Sequence, residues 1–219
     1  LSDAYSNVSM VVNSSVHDID PGNSGAHPDV YQVYRPDSPL ENVIVYGLEA
    51  TDIVAQGIFF GGNPPTPHSN IAFANCLIAQ RNGSVGSTQI GTSLEHALFI
   101  NVTLPNQSML WRTKDVTNSA IYNSCIQKVS VDASKITPEQ LAAAVRFDSN
   151  HFIDSTSYGS VMLGTDASTG EPRFSSPQSW DFRPVSGSPL LNRGTSIVAG
   201  DLDNEVRRNP QAIGAYEGR

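Results

Sequence analysis

The sequence has little cysteine, few basic residues and no long apolar run, and each shortage excludes a class of protein. Two cysteines in 219 residues exclude a disulfide-rich scaffold and a zinc site built from paired cysteines. No run reaches the roughly 18 apolar residues that a membrane-spanning helix needs. With 13 Lys and Arg against 21 Asp and Glu, the formal net charge is −8. This charge argues against nucleic acid as a partner, because phosphate contacts need clustered cations.

Several common functional motifs are also missing. The sequence has no Gly-Lys-Ser/Thr phosphate loop and no Gly-x-Ser-x-Gly nucleophile elbow. It begins at Leu1 without a basic region followed by an apolar one. A start without Met leads us to expect a mature or excised piece of a longer protein. The sequence leaves the oligomeric state open.

A nine-residue motif occurs four times and is the main structural signal in the sequence. Its copies begin at Asn42, Asn70, His96 and Ser119. Aligned on one apolar position, the copies form a column with steps of 28, 26 and 23 residues: Val45, Phe73, Phe99 and Tyr122. Repeats of this length are typical of solenoids, in which each repeat forms one coil. A weaker copy at 7–12 predicts an earlier coil.

The apolar columns within each copy predict a corner between two strands. They are spaced by two, then three, then two residues. Every second residue of a straight strand points to the same face, so a step of three requires a bend. Gly and Asn tolerate the left-handed backbone of such a bend. The sequence predicts that one column forms the corner and exchanges side-chain hydrogen bonds between coils: Gly47, Asn75, Asn101 and Ser124.

A third short strand is predicted before each copy, at 30–34, 57–60, 88–91 and 109–112. Three strands in each turn of the chain make an all-β solenoid. The leucine-rich repeat is the competing fold, but it requires regularly spaced Leu, a fixed Asn and commonly a helical segment. We therefore predict a β-solenoid of about five coils within residues 1–130.

The repeated Asn-Ile-x-Phe-x-Asn pattern resembles the right-handed parallel β-helix proteins of the pectate-lyase-like superfamily. Later motifs resemble the closing segment of secreted bacterial β-helix proteins that carry a choice-of-anchor domain: Ser149-Asn-His-Phe152, Asp181-Phe-Arg183, Ser188-Pro-Leu190 and Ile213-Gly-Ala-Tyr-Glu217. The resemblance implies a right-handed, single-stranded parallel β-helix. It also implies a secreted bacterial protein, extracellular or at the cell surface, that acts on carbohydrate.

Residues 131–219 are predicted to close the same domain as an irregular C-terminal cap. One short helix is predicted to begin after Thr137, with Pro138 at its first position and Gln140 completing a capping box. An open solenoid end exposes unpaired backbone, so we expect this segment to cover it. Asp201 is expected to pair with Arg207 or Arg208 and to tie the tail in place.

The first candidate site precedes the first full copy of the motif. It comprises His27, Asp29, Gln32, Tyr34 and Arg35. The element His-x-Asp-x-x-Gln resembles one seen in carbohydrate-directed β-helix proteins, which implies catalytic roles for His27 and Asp29 and substrate binding by the other three. A carboxylate, an imidazole and an amide can together hold sugar hydroxyls or share a proton. The alternative is that these groups cap a loop and satisfy backbone.

A second candidate group lies on the equivalent strand three coils later. Trp111 can stack on a sugar ring or equally belong to the core, and Arg112 and Lys114 can neutralise uronate carboxylates. Uronate elimination in the resembled family requires a base and often calcium, which implies Arg112 or Lys114 as the catalytic base and Ca²⁺ as a candidate cofactor. Arg81 follows another strand and can either line the substrate groove or be a solvated loop charge.

These observations predict a carbohydrate-active β-helix protein, related to polysaccharide lyases or glycoside hydrolases. Its acidic polysaccharide partner would bind along the face formed by the third strands. The alternative is a non-catalytic surface or adhesive module that binds carbohydrate.

The cysteines Cys76 and Cys125 fall in one column two coils apart, about 9.6 Å at the usual strand spacing, so both are expected to be reduced.

Overall fold

The computed structural model describes residues 8–22, 24, 28–34, 37–81, 86–154, 164–197 and 200–218. It is all-β apart from one α-helix and one short 3₁₀ turn in these residues. The strands of the main sheet pair in parallel and wind into a nearly closed solenoid. The predicted parallel β-helix with a short helix is therefore confirmed.

The main sheet contains thirteen strands. In chain order they are β1 (Ser9–His17), β2 (Asp29–Tyr34), β3 (Glu41–Ile53), β4 (Gln56–Gly61), β5 (His68–Gln80), β6 (Thr88–Ile90), β7 (Leu94–Trp111), β8 (Val116–Thr117), β9 (Ser119–Tyr122), β10 (Cys125–Val131), β11 (Val145–Asp148), β12 (His151–Phe152) and β13 (Ser168–Thr169). A two-stranded antiparallel sheet follows, formed by β14 (Phe174–Ser176) and β15 (Asp181–Pro184). Helix α1 (Pro138–Ala144) lies between β10 and β11.

The strands form three faces, which we number in the order that each coil visits them. The first face contains the first halves of β1, β3, β5 and β7, followed by β9 and β11. The second face contains the second halves of the same long strands, followed by β10, β12 and β13. The third face contains β2, β4, β6 and the ends of β7 and β10. Five coils have strands on all three faces within the described residues, which agrees with the predicted number.

The register confirms the first three copies of the motif and corrects the fourth. Val45 pairs with Phe73, and Phe73 pairs with Phe99. The rings of Phe73 and Phe99 stack inside the solenoid, with centroids 5.4 Å apart and an interplanar angle of 5°. Phe99 then pairs with Ile121, so the assignment of Tyr122 to this column is wrong by one residue. Tyr122 instead lies beneath the guanidinium of Arg146, 5.4 Å from the ring centroid.

The corner between the first and second faces has the predicted left-handed backbone. Gly47, Asn75, Asn101 and Asn123 have φ values of 67°, 51°, 53° and 47°. The fourth member is Asn123 and not Ser124, which is the same one-residue error. The amide of Asn101 donates to Oδ1 of Asn75 at 3.1 Å, so neighbouring coils do exchange a side-chain hydrogen bond at this corner.

A second left-handed column lies where the sequence motif begins. Asn42, Asn70, His96 and Asn118 have φ values between 48° and 56°. The amide of Asn70 donates to Oδ1 of Asn42, on the neighbouring coil, at 3.0 Å. Asn is favoured at both bends because its short polar side chain tolerates positive φ and can bond to the same residue type above it.

The C-terminal segment lies along the second face, and this differs from the predicted cover over an open end. Outward-facing Leu77 and Ala79 pack against Phe182, Ala215 and Tyr216. Outward-facing Cys125 packs against Leu190 and Ile213. The second face carries apolar residues on both sides, so its outer side needs a cover along its length.

The tail is tied down through the corner residues and through backbone groups. Buried Arg207 donates to Oδ1 of Asn75 and to the carbonyls of Gly214 and Ala215, each at 3.0 Å. The amide of Gln211 donates to Oδ1 of Asn101 at 2.8 Å. The tail is thus tied as expected, but through different partners than the predicted Asp201–arginine pair.

Asp201 serves a separate part of this closure. Its carboxylate is buried and accepts from the backbone N–H groups of Glu205 at 2.8 Å and Glu217 at 2.9 Å.

Helix α1 begins as predicted, because Thr137 and Gln140 form the reciprocal capping box. Leu141 is the buried residue of this helix and joins the solenoid core.

Candidate functional site

The third face presents a row of outward-facing side chains in register. The row runs across all five coils: Gln32, Phe59, Gln89, Leu110 and Ser130. Alternation along each strand sends their neighbours inward, where Val33 and Phe60 are buried. Gln32 is exposed, as its predicted role requires.

A second outward row lies two residues further along each strand. Tyr34 pairs with Gly61, and its side chain is 65% exposed. A Cβ at Gly61 would lie 2.6 Å from the ring of Phe59 and 3.1 Å from Tyr34, so only glycine leaves room for both rings. The two rings therefore cover the glycine and form an apolar patch next to the exposed amide of Gln32.

Arg112 lies three coils further along this second row, next to Asp132. Its Nη1 donates to Oε1 of Gln89 at 3.3 Å, and its Nε is 3.5 Å from Oδ2 of Asp132. Hydrogen bonds from Ser134 and then from Arg112 lower the pKa of Asp132, which keeps that carboxylate ionised. About half of the Arg112 side chain is exposed (49%), so its guanidinium can also contact a ligand.

Arg112 also lines a cleft of about 420 Å³ at the edge of the third face. We call this the basic cleft, and its charged residues are Arg112, Lys114, Asp115 and Lys135. Lys114 and Lys135 are exposed, and neither forms an ion pair with a described residue. The walls carry Asn63, Thr92, Ser93 and Thr113, which can donate and accept hydrogen bonds.

The structure separates the residues of the first predicted group. Asp29 lies on the inward-pointing side of β2, and both of its carboxylate oxygens are shielded from solvent. It is therefore not presented to a ligand on the outer surface, which corrects its predicted catalytic role. Gln32, three residues later, points outward, because residues an odd number of positions apart in a strand face opposite sides. His27 and Arg35 lie outside the described residues.

Trp111 is fully buried in the solenoid core, at 0% exposure. It pairs with Ile90 on one side and Val131 on the other, in phase with inward-facing Met109. Its predicted role in sugar stacking is thus wrong, and its alternative role as a core residue is confirmed. Leu110 and Arg112 alternate with it and face outward.

Arg81 lies away from the third face. Its Nε donates to Oδ1 of Asp52 at 2.6 Å, and its Nη1 donates to Oδ2 of Asp20 at 2.9 Å. The hydrogen bond from Arg81 is the main cause of the lowered pKa of Asp52. Arg81 does not join Arg112 and Lys114 in one site, but it does line a second cleft.

This second cleft, the tail cleft, has a volume of about 450 Å³ and lies between the second face and the C-terminal segment. Among its lining residues are Arg81, Gln127, Glu171, Gln178 and Trp180. Sequence reasoning missed the last four of these residues, and it also missed Lys135 in the basic cleft. The one available signal was a Trp within the polar stretch 175–180, because such a residue often has a partner or a ligand.

Among the described residues, no group of three or more His, Cys, Asp or Glu side chains is arranged to hold a metal ion. No helix in the described part of the chain has the length and hydropathy of a membrane span. Comparison with known proteins finds no matching family model, no similar curated protein and no similar solved structure.

Proposed function

We propose that this protein binds an acidic polysaccharide along the third face, with carboxylate groups of the polymer held in the basic cleft. The observation that carries this proposal is the grouping of Arg112, Lys114 and Lys135 around one cleft. The chain has only three lysines, and two of them are in this group. A uronic acid polymer supplies the carboxylates that such cations bind.

The charge of the rest of the protein makes this cleft distinct. The net charge is −8, so a polyanion is repelled by most of the surface and is attracted where cations outnumber carboxylates. Lys114 and Lys135 have no ion-pair partner among the described residues, so a ligand carboxylate need not displace one. Arg112 can add a contact through Nη2, because Gln89 accepts from Nη1 and Asp132 lies against Nε.

The adjoining rows provide contacts for the uncharged parts of the polymer. Gln32 can bond to hydroxyl groups, and Tyr34 offers an exposed ring on which a sugar can stack. These residues lie three coils from the basic cleft, or roughly 14 Å at the usual strand spacing. A ligand that contacts both must be an oligomer. For such a partner we propose that the protein works outside the cell or at its surface.

The direct test is binding to polygalacturonate, alginate and hyaluronan, with neutral dextran as the comparison. We expect the double variant Lys114→Gln/Lys135→Gln to bind the best acidic polymer about tenfold more weakly, because two exposed charge contacts of somewhat under ~1 kcal/mol each are lost. Lys128→Gln is the matched control, since it removes the third lysine, which does not line the cleft. Higher salt should also weaken binding by the wild type.

Two results would contradict the proposal. One is equal binding of dextran and the acidic polymers. The other is wild-type affinity in the double variant while Lys128→Gln lowers it.

A lyase or hydrolase activity at this face is the second candidate, and Lys114 is the residue that favours it. A neutral lysine amine beside a bound uronate can accept its C5 proton. The test is new ultraviolet absorbance from unsaturated uronate, or new reducing ends, after incubation with the same polymers. Activity that disappears in Lys114→Gln would establish the enzyme, whereas binding without any product would leave the binding module.

A further inference from the structure

The tail cleft has a different chemistry from the basic cleft. Its floor comes from the second face, and its far wall comes from β14, β15 and the 3₁₀ turn Pro177–Ser179. Phe174 and Phe182 meet edge to face, with centroids 5.2 Å apart and an interplanar angle of 83°. Trp180 leans on Phe182 at 6.4 Å and remains half-buried, so the cleft has an aromatic wall with a fixed orientation.

The polar groups of the cleft are amides that the protein leaves available. The side-chain amides of Gln127 and Gln178 make no hydrogen bond to other described residues. The indole N–H of Trp180 likewise has no acceptor within the described part of the chain. Amides that can both donate and accept, next to an aromatic ring, match a sugar ring, which has hydroxyl groups at its edge and C–H groups on its face.

The charges of the cleft disfavour an anionic ligand. Arg81 is already paired with Asp20 and Asp52, so it brings two carboxylates with its one positive charge. Glu171 is exposed, accepts a hydrogen bond from the N–H of Arg173 and forms no ion pair with a described residue. A uronate in this cleft would therefore meet excess negative charge, which is the opposite of the basic cleft.

We infer that the tail cleft is a second binding site, selective for a neutral saccharide of one or two rings. The volume of about 450 Å³ lies within the range of small-molecule pockets. The site lies on the second face and shares no residue with the basic cleft, so the inference is independent of the proposed function. Together the two sites would allow the protein to contact a neutral and an acidic glycan at the same time.

The two tryptophans of the chain provide a selective measurement. Trp111 is fully buried in the core, so a ligand-dependent change in tryptophan emission or in acrylamide quenching reports Trp180. The probes are cellotetraose, xylotetraose and mannotetraose as neutral sugars, with tetragalacturonate as the acidic one. We expect at least one neutral probe to protect Trp180 from acrylamide with a dissociation constant of about 1 mM or lower.

Variants then assign the effect to the cleft. Gln127→Ala/Gln178→Ala should weaken the neutral probe at least about tenfold, because two hydrogen bonds of about 1 kcal/mol each are lost. Gln89→Ala removes an amide that faces outward on the third face, outside the tail cleft, and should leave this affinity unchanged. Lys114→Gln/Lys135→Gln should also leave it unchanged, which separates this result from that of the acidic-polymer experiment.

Three results would overturn the inference. The first is the absence of protection by every neutral probe. The second is protection by tetragalacturonate as strong as that by the best neutral sugar. The third is unchanged affinity in Gln127→Ala/Gln178→Ala.

Discussion

The coils and the C-terminal segment both contain buried residues, but these are stabilised by different interactions. Inside the coils, like residues stack on like residues from one coil to the next, as Phe73 does on Phe99. In the tail, buried Arg207 donates to the carbonyl of Gly214, and the carboxylate of buried Glu217 accepts from the N–H of Ala212 at 2.9 Å. No repeat supplies these contacts. The difference shows that coil-to-coil packing is periodic and largely hydrophobic, whereas the attachment of the tail depends on individual polar contacts.

Removing a stacked ring from the coils should have the largest effect. Phe99→Ala is expected to lower the free energy of unfolding by about 4 kcal/mol, because it leaves a cavity in a fully packed core. Phe59→Ala is the control, since that ring lies on the outer side of the third face. Denaturant unfolding followed by circular dichroism measures both variants. A loss for Phe99→Ala no larger than that for Phe59→Ala would contradict the structural core.

Removing the buried arginine should loosen the tail and spare the coils. Arg207→Met is expected to cost about 3 kcal/mol in tail attachment, because Asn75 and several carbonyls lose a charged donor. Trp180 emission would report detachment at a lower denaturant concentration than circular dichroism reports loss of the coils. Arg208→Met is the matched control, since its side chain is exposed. Coincident transitions in Arg207→Met would mean that tail and coils unfold as one unit.

The two cysteines allow the same comparison in the unmodified protein. Both are free and buried, and burial raises the pKa of both thiols, to about 12 for Cys76. Cys76 lies in the solenoid core, whereas Cys125 lies beneath the tail. The prediction that both share one column is therefore wrong by one residue, because Cys76 pairs with Val102 and Cys125 pairs with Thr103. If the tail opens at a cost about 1.4 kcal/mol lower than global unfolding, Cys125 will react tenfold faster. Mass spectrometry after alkylation measures the two rates, and equal rates would remove the distinction.

The smallest expected effect is a pH dependence of the free energy of unfolding, which arises at His151 in β12. Nε2 of His151 contacts the carbonyl of Gly170 at 2.8 Å and therefore donates, while Nδ1 accepts from Ser168. Burial lowers the pKa of His151 below the ordinary value of about 6.5, so the folded state favours the neutral ring. This contribution to stability is present above pH 6.5 and is lost as the pH falls below it.

The measurement is the free energy of unfolding at pH 7.5 and pH 5.5. We expect it to fall less between these values in His151→Gln than in the wild type. His96→Gln, the same substitution at an exposed histidine, is the comparison variant. A slope unchanged by His151→Gln would show that this histidine does not contribute.

Much of the coil architecture could be predicted because its signals are local and repeated. The two-three-two spacing predicted the corner, and the left-handed backbone at Gly47, Asn75 and Asn101 confirms it. The fourth copy was misaligned because the large side chain of Tyr122 was taken for the core position. The better marker is Asn123, since positive φ constrains residue type more strongly than burial does. An aromatic ring can be accommodated on either face.

The candidate site was less predictable. Arg112 and Lys114 were identified from the sequence, but Lys135 reaches the same cleft from a different turn, after β10. Asp29 and Trp111 have residue types suited to catalysis and sugar binding, yet strand alternation turns both inward. A residue type can indicate a chemical role, but whether the side chain is accessible depends on its position within the strand.

The sequence by itself determined the all-β solenoid, its corners, the helix start at Thr137 and the absence of a long apolar run, because each depends on residues close together in the chain. Only the tertiary structure decided that the tail covers the second face, that Arg207 bonds to Asn75, and that two clefts of different charge form. Those features join residues up to 132 positions apart in the chain. No local pattern encodes such pairs, because their contacts exist only after the coils have stacked.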